Sequence, residues 1–117
     1  MTQIATPVES IPPTFNAAVD EILTHDGFSA AAEGTEAGDE FATINHTGVG
    51  RYIRNHWALR ESSEDTPLYD NMQTLGYTHA DDMSAAILQA AWCKHNNLEF
   101  DIESSVAEFK QYWDDAA

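Results

Sequence analysis

Apolar residues recur along most of this chain at intervals of three and four, the spacing that gathers side chains on one face of a helix. Phe15, Ala18, Val19, Ile22 and Leu23 form the first such set, with Thr14 as N-cap behind Pro12 and Pro13. A second helix is predicted from about His46 to Leu59, carrying Val49, Tyr52, Ile53 and Trp57 inward and capped by Thr47. Thr66, Pro67 and Gly76 bound a third, whose inner face is Leu68, Met72 and Leu75. The fourth and best defined opens on Thr78-His79-Ala80-Asp81, a capping-box-like start, and ends at Asn96-Asn97. Met83, Ala86, Ile87, Ala90, Ala91 and Lys94 track one of its faces, with Trp92 beside them. A fifth runs from near Asp101 to Trp113, with Ile102, Val106 and Phe109 at helical intervals.

No long apolar–polar alternation marks a strand; only Leu98-Glu99-Phe100 reads as extended. The pattern therefore predicts an all-α fold, a compact single-domain bundle of four or five helices. Residues 1–12, punctuated by Pro7, Pro12 and Pro13, read as an irregular lead-in, and 13–117 as one helical domain. Phe28 to Glu33 has the makings of a short helix. Gly34 and Gly38 interrupt the chain just after it, so the stretch near 33–40 is expected to be an acidic surface loop.

Composition changes the picture mainly through charge. Twenty Asp and Glu stand against five Lys and Arg, a formal net charge of −15 and a pI near 4.3. Such a surface repels nucleic acid and anionic membranes, so direct binding to either is not expected. The charge is also unevenly spread. Residues 1–50 hold no Lys or Arg, whereas Arg51, Arg54 and Arg60 share one segment free of acids, and Lys94 and Lys110 are the remaining cations. No apolar run approaches the roughly 20 residues of a membrane span, and Met1 to Pro7 lacks the features of a secretory signal, so a cytoplasmic location is expected. The single cysteine, Cys93, excludes an internal disulfide and, beside Trp92, reads as an inert, partly buried thiol.

Candidate chemistry is sparse. Arg54 is suited to grip a carboxylate or phosphate bidentately, but in an acidic domain its economical role is a structural ion pair with Asp81 or Asp82, tying the second helix to the fourth. Ser84 has no nucleophile elbow around it. His25, His46, His56, His79 and His95 show no H-x-x-x-H spacing, and His46, His79 and Asp82 are the set that distant helices could assemble. Gly48-Val49-Gly50-Arg51 lacks the full phosphate-binding loop. No catalytic signature, cofactor or metal site is expected.

Three ordered motifs carry a family resemblance: Pro13-Thr14-x-x-x-Ala18-Val19, then Gly50-x-x-Ile53-Arg54-Asn55-x-Trp57-x-Leu59, then Asp81-Asp82-x-Ser84-x-x-Ile87-Leu88 ending in Trp92. Over about residues 12–95 the chain resembles a small bacterial and phage family known only as a domain of unknown function. The resemblance implies a phage or mobile-element setting and lends no activity.

The leading expectation is a non-catalytic acidic protein that occupies a basic, nucleic-acid-binding surface of a defence or host protein, mimicking DNA as an inhibitor. Glu33, Glu36, Asp39, Glu40, Glu61, Glu64, Asp65 and Asp70 are the candidate contacts. The alternatives are a small-anion-binding module or enzyme centred on Arg51, Arg54, Asn55 and His56, and a salt-adapted protein whose acids only solvate it. Tyr112 and Trp113 are the residues through which a homodimer would form. Because self-repulsion among the acids opposes the compact state, raising NaCl from low ionic strength is expected to raise the melting temperature. A thermal melt series in NaCl checks this; a flat or falling series is the contrary result.

Overall fold

The computed structural model describes residues 11–25, 27–57, 59 and 66–116. Among these, seven helices and no strand are found: α1 (Phe15–Leu23), α2 (Phe28–Glu33), α3 (Gly38–Ile44), α4 (Val49–His56), α5 (Pro67–Leu75), α6 (Ala80–His95) and α7 (Ile102–Ala116). The all-α expectation holds, and the count of four or five is corrected to seven. The difference arises in residues 28–45. Gly34 does not open a loop through 40; it caps α2 in an ordinary right-handed conformation, and Gly38 is the first residue of α3. Phe28, Ala32, Phe41 and Ala42 bury their side chains there, and that burial outweighs the poor helix propensity of glycine. The acidic connection shrinks to residues 34–37.

Local signals explain the other ends. Thr14 Oγ1 accepts from Ala17 N at 3.1 Å, and Thr66 Oγ1 accepts from Tyr69 N at 3.3 Å with Pro67 at the first position. At α7, Asp101 Oδ1 accepts from Ser104 N at 3.2 Å. The expected capping box at α6 is absent: His79 is the N-cap and makes no side-chain cap, while Thr78 Oγ1 lies 2.9 Å from His79 Nδ1. Asp81 and Asp82 in the first turn favour the positive helix end instead. Likewise α4 begins after Gly48 rather than being capped by Thr47, and it is shorter than the predicted 46–59.

α6 is the axis of the fold. Met83, Ser84, Ala86, Ile87, Leu88, Ala90, Ala91 and Trp92 are all buried, so the helix is covered on several faces rather than on one stripe. α1, α3 and α4 all pack on it. Its alanines let neighbours approach, while Ile22, Ile53, Leu68 and Met72 fill the space between. Trp92 Nε1 donates to Thr35 Oγ1 at 3.0 Å, fastening the α2–α3 connection to α6. No described helix is long and apolar enough to cross a membrane.

α7 lies against the turn between α5 and α6. Tyr77 OH donates to Ser105 Oγ at 2.8 Å in a buried contact, and the Tyr77 and Phe109 rings meet edge-on at 6.1 Å. That turn depends on Gly76, whose φ of +116° suits a residue without Cβ, and a Cβ there would stand 2.8 Å from Val106. Gly76→Ala is therefore expected to cost at least about 1 kcal/mol, read as a lower urea midpoint. An unchanged midpoint would mean that neither the left-handed backbone nor the approach of Val106 constrains this position.

Candidate functional site

Asp81 and Asp82 are consecutive on α6, so their side chains diverge by about 100° and serve different neighbours. Asp81 faces α4: its Oδ1 lies 3.4 Å from Arg54 Nε. Arg54 also donates from Nη1 to Ser84 Oγ at 2.9 Å and from Nη2 to His46 O at 2.9 Å. Ser84 Oγ in turn donates to Asp81 O at 3.1 Å. All three guanidinium nitrogens thus have internal partners, and the group braces α4, the turn at His46 and α6. Gly50 makes room for this, since a Cβ there would come within 3.0 Å of Asn45 O and 3.2 Å of Arg54 Nη1. Ser84 is a buried link in the brace.

Asp82 turns the other way. Its Oδ2 accepts from Trp113 Nε1 at 2.8 Å and lies 3.7 Å from His79 Nδ1, and the His79 and Trp113 rings stack at 4.0 Å. The expectation that either aspartate could pair with Arg54 resolves to Asp81; Asp82 belongs to the attachment of α7. Burial pushes the Asp82 carboxyl above its ordinary value, opposed by the Trp113 hydrogen bond and the nearby His79. Burial likewise raises the Tyr77 hydroxyl and the Cys93 thiol, which keeps that thiol protonated.

Between α3 and α7 the surface of α6 forms the floor of a groove of about 700 Å³. One wall is Gly38, Asp39 and Thr43 of α3 with His46 beyond it. The floor is Asp81, Asp82, Ala85, Gln89 and Cys93. Across from α3 stand Phe100 and the α7 residues Ser105, Glu108, Phe109, Tyr112 and Trp113. Four carboxylates and no Lys or Arg are in this lining.

The sequence-derived contact residues scatter more than expected. Glu33, Glu36, Asp39 and Glu40 are exposed around the α2–α3 corner. Glu40 Oε1 accepts from Glu36 N at 2.8 Å, so part of its role is local capping. Only Asp39 of the four reaches the groove. Asp70 is exposed in the first turn of α5, a helix that packs on α1. Glu61, Glu64 and Asp65 lie outside the described residues, as does Arg60. Arg51 is exposed, Arg54 is held in the brace and His56 stacks on Tyr52 at 4.3 Å, so these three described residues of the arginine segment serve different neighbours. Among the described residues, no three His, Cys, Asp or Glu side chains are grouped as metal ligands. Sequence reasoning misses the groove itself. Its signal is the Phe109, Tyr112, Trp113 spacing beside Glu108, in which Phe109 falls on the helical repeat of the last helix and Tyr112 and Trp113 read as a dimer surface.

A family model described as a domain of unknown function, DUF6794, matches residues 11–95. No curated protein matches the chain, and no solved structure does. α1 to α6 fall within the matched residues, and Phe100 and α7 beyond them.

Because the native Asp82 carboxyl holds its proton to a higher pH than in the unfolded chain, the fold loses stability as pH rises from about 3.9 through the native value. Asp82→Asn removes that loss and retains an acceptor for Trp113. The variant is expected to melt above the parent at pH 7, with the gain fading as pH falls toward about 4. A lower melting point at pH 7 would contradict this.

Proposed function

The chain belongs to the DUF6794 family, a domain of unknown function, and from its own residues we propose that it is a non-catalytic interaction module that presents an acidic face to a basic protein surface. One observation carries the reading: among the described residues, no Lys or Arg pairs with the acids of the α2–α3 corner. Arg54 is absorbed by Asp81, Ser84 and His46, and Lys94 pairs with Asp20 in an exposed contact. The α2–α3 corner exposes Glu33, Glu36, Asp39 and Glu40, with no Lys or Arg anywhere between residues 28 and 45.

A rigid acidic surface of this kind steers a basic partner toward it and rejects acidic ones. The matching surfaces are the Lys- and Arg-lined grooves of nucleic-acid-binding proteins, built to meet about one negative charge per 1.7 Å of duplex. Occupying such a groove inhibits by exclusion and requires no catalytic group. A phage or mobile-element protein acting on a defence or host complex in the cytoplasm is the biological form of this reading. The engagement of Arg54 counts against an anion-binding module on the same helix, since its donors already have partners.

Affinity capture from the native host at low and high salt, with and without competing duplex DNA, tests the proposal. The expected outcome is a basic protein retained at low salt and released by salt or DNA. The double variant Glu33→Lys with Glu36→Lys should weaken its retention by about tenfold or more. Unchanged retention by the double variant, or no basic protein captured, overturns the reading in favour of acids that only solvate.

A further inference from the structure

The groove on α6 has a chemistry distinct from that of the α2–α3 corner, because it combines carboxylates with an aromatic wall. Phe109, Tyr112 and Trp113 project from α7 along one side, and Asp39 faces them from α3. Asp82 lies in the floor with only 7% of its surface exposed, held by an indole N–H and a histidine, with no Lys or Arg in the lining. A carboxylate removed from water without a permanent countercharge is an incomplete ion pair, and a partner's cation would complete it. Glu108, exposed on the α7 rim, offers a second anchor.

On the reading of the protein as an acidic interaction module, we propose that this groove receives a basic amphipathic peptide segment of the partner. Its Lys or Arg side chains approach Asp82 and Glu108, and its apolar side chains and the aliphatic stems of its cations lie on Phe109, Tyr112 and Trp113. Charge complementarity selects this occupant. A second copy of the chain is disfavoured by its net charge of −15, although Tyr112 and Trp113 are 62% and 37% exposed and would otherwise suit a dimer. A purely polar polycation would satisfy the carboxylates and leave the aromatic wall uncovered. Carboxylates on both walls and the floor also call for several cations spaced along a chain.

Three probes separate the cases: a synthetic peptide interleaving leucine with lysine and arginine, an oligolysine of equal charge, and spermine. Trp113 reports on the site, because Trp57 and Trp92 are buried, so its quenching by acrylamide falls when the groove is covered. The amphipathic peptide is expected to protect Trp113 in the full-length protein, and oligolysine and spermine to protect it little. Ala85→Arg, which puts a cation and bulk in the floor, and Glu108→Arg, on the exposed rim, should each weaken the peptide by about tenfold. Glu108→Arg keeps the test valid if Ala85→Arg fails to fold. Glu33→Lys with Glu36→Lys, outside the groove, should change peptide affinity by less than about threefold. Equal protection by oligolysine or spermine, or undiminished peptide binding by the folded groove variants, overturns the assignment. So does a peptide that does not bind at all. Partner capture that is lost in the corner variant while the groove variants bind peptide normally refutes the groove alone, and the converse refutes the corner alone.

Discussion

α6 can be covered by α1, α3 and α4 together because its buried positions alternate small residues, Ala86, Ala90 and Ala91, with Met83, Ile87 and Leu88. That packing constraint governs the rest of the molecule. A helix enclosed from several directions needs short neighbours that turn back around it, and α2, α3 and α4 are six, seven and eight residues long. Isolated helices of that length are unstable in water, so they exist only because α6 buries their apolar sides. The Arg54 brace and the Trp92 contact to Thr35 then fix two of the connections between these short pieces.

The same enclosure sorts the charges. Arg54 carries its charge to the α4–α6 boundary, where Ser84 and the His46 carbonyl replace the water it gives up, and an exposed Asp81 completes the set. Because Arg54 is enclosed and its partner Asp81 is exposed, the brace neutralises one surface carboxylate, and among the described residues Arg51, Lys94 and Lys110 are the permanent cations left exposed. Asp82 is the exception, a carboxylate drawn under α7 with an indole as its hydrogen-bond donor.

Much of this is legible in the chain. The ends of α1 and α5 come from Thr14, Thr66, Pro67 and Gly76, whose effects are local and survive any tertiary context. The axis α6 is visible as an element, but not its many-sided burial, because alanine scores weakly apolar while permitting the closest packing. Residues 28–45 mislead, since glycines at 34 and 38 argue locally for a loop, and only the contact of Phe28 and Phe41 with the core reverses that. For the site, Arg54 with Asp81 can be anticipated as a charge pair between two motifs. The groove cannot, because helical periodicity says which residues share a face and nothing about the gap between two faces.

That gap depends on how α7 is hung. The α1–α6 body, which lies within the residues matched by the family, supplies the floor and the α3 wall, and the aromatic wall comes from residues beyond 95. The contacts holding α7 are a Tyr77–Ser105 hydrogen bond, the stack of His79 on Trp113 and the Trp113 bond to Asp82, beside the apolar contacts of Val106 and Phe109. Two of these contacts converge on Trp113, which also lines the groove. One side chain therefore both secures the wall and presents its surface, so a molecule that engages Trp113 or Asp82 acts on the attachment of α7 itself.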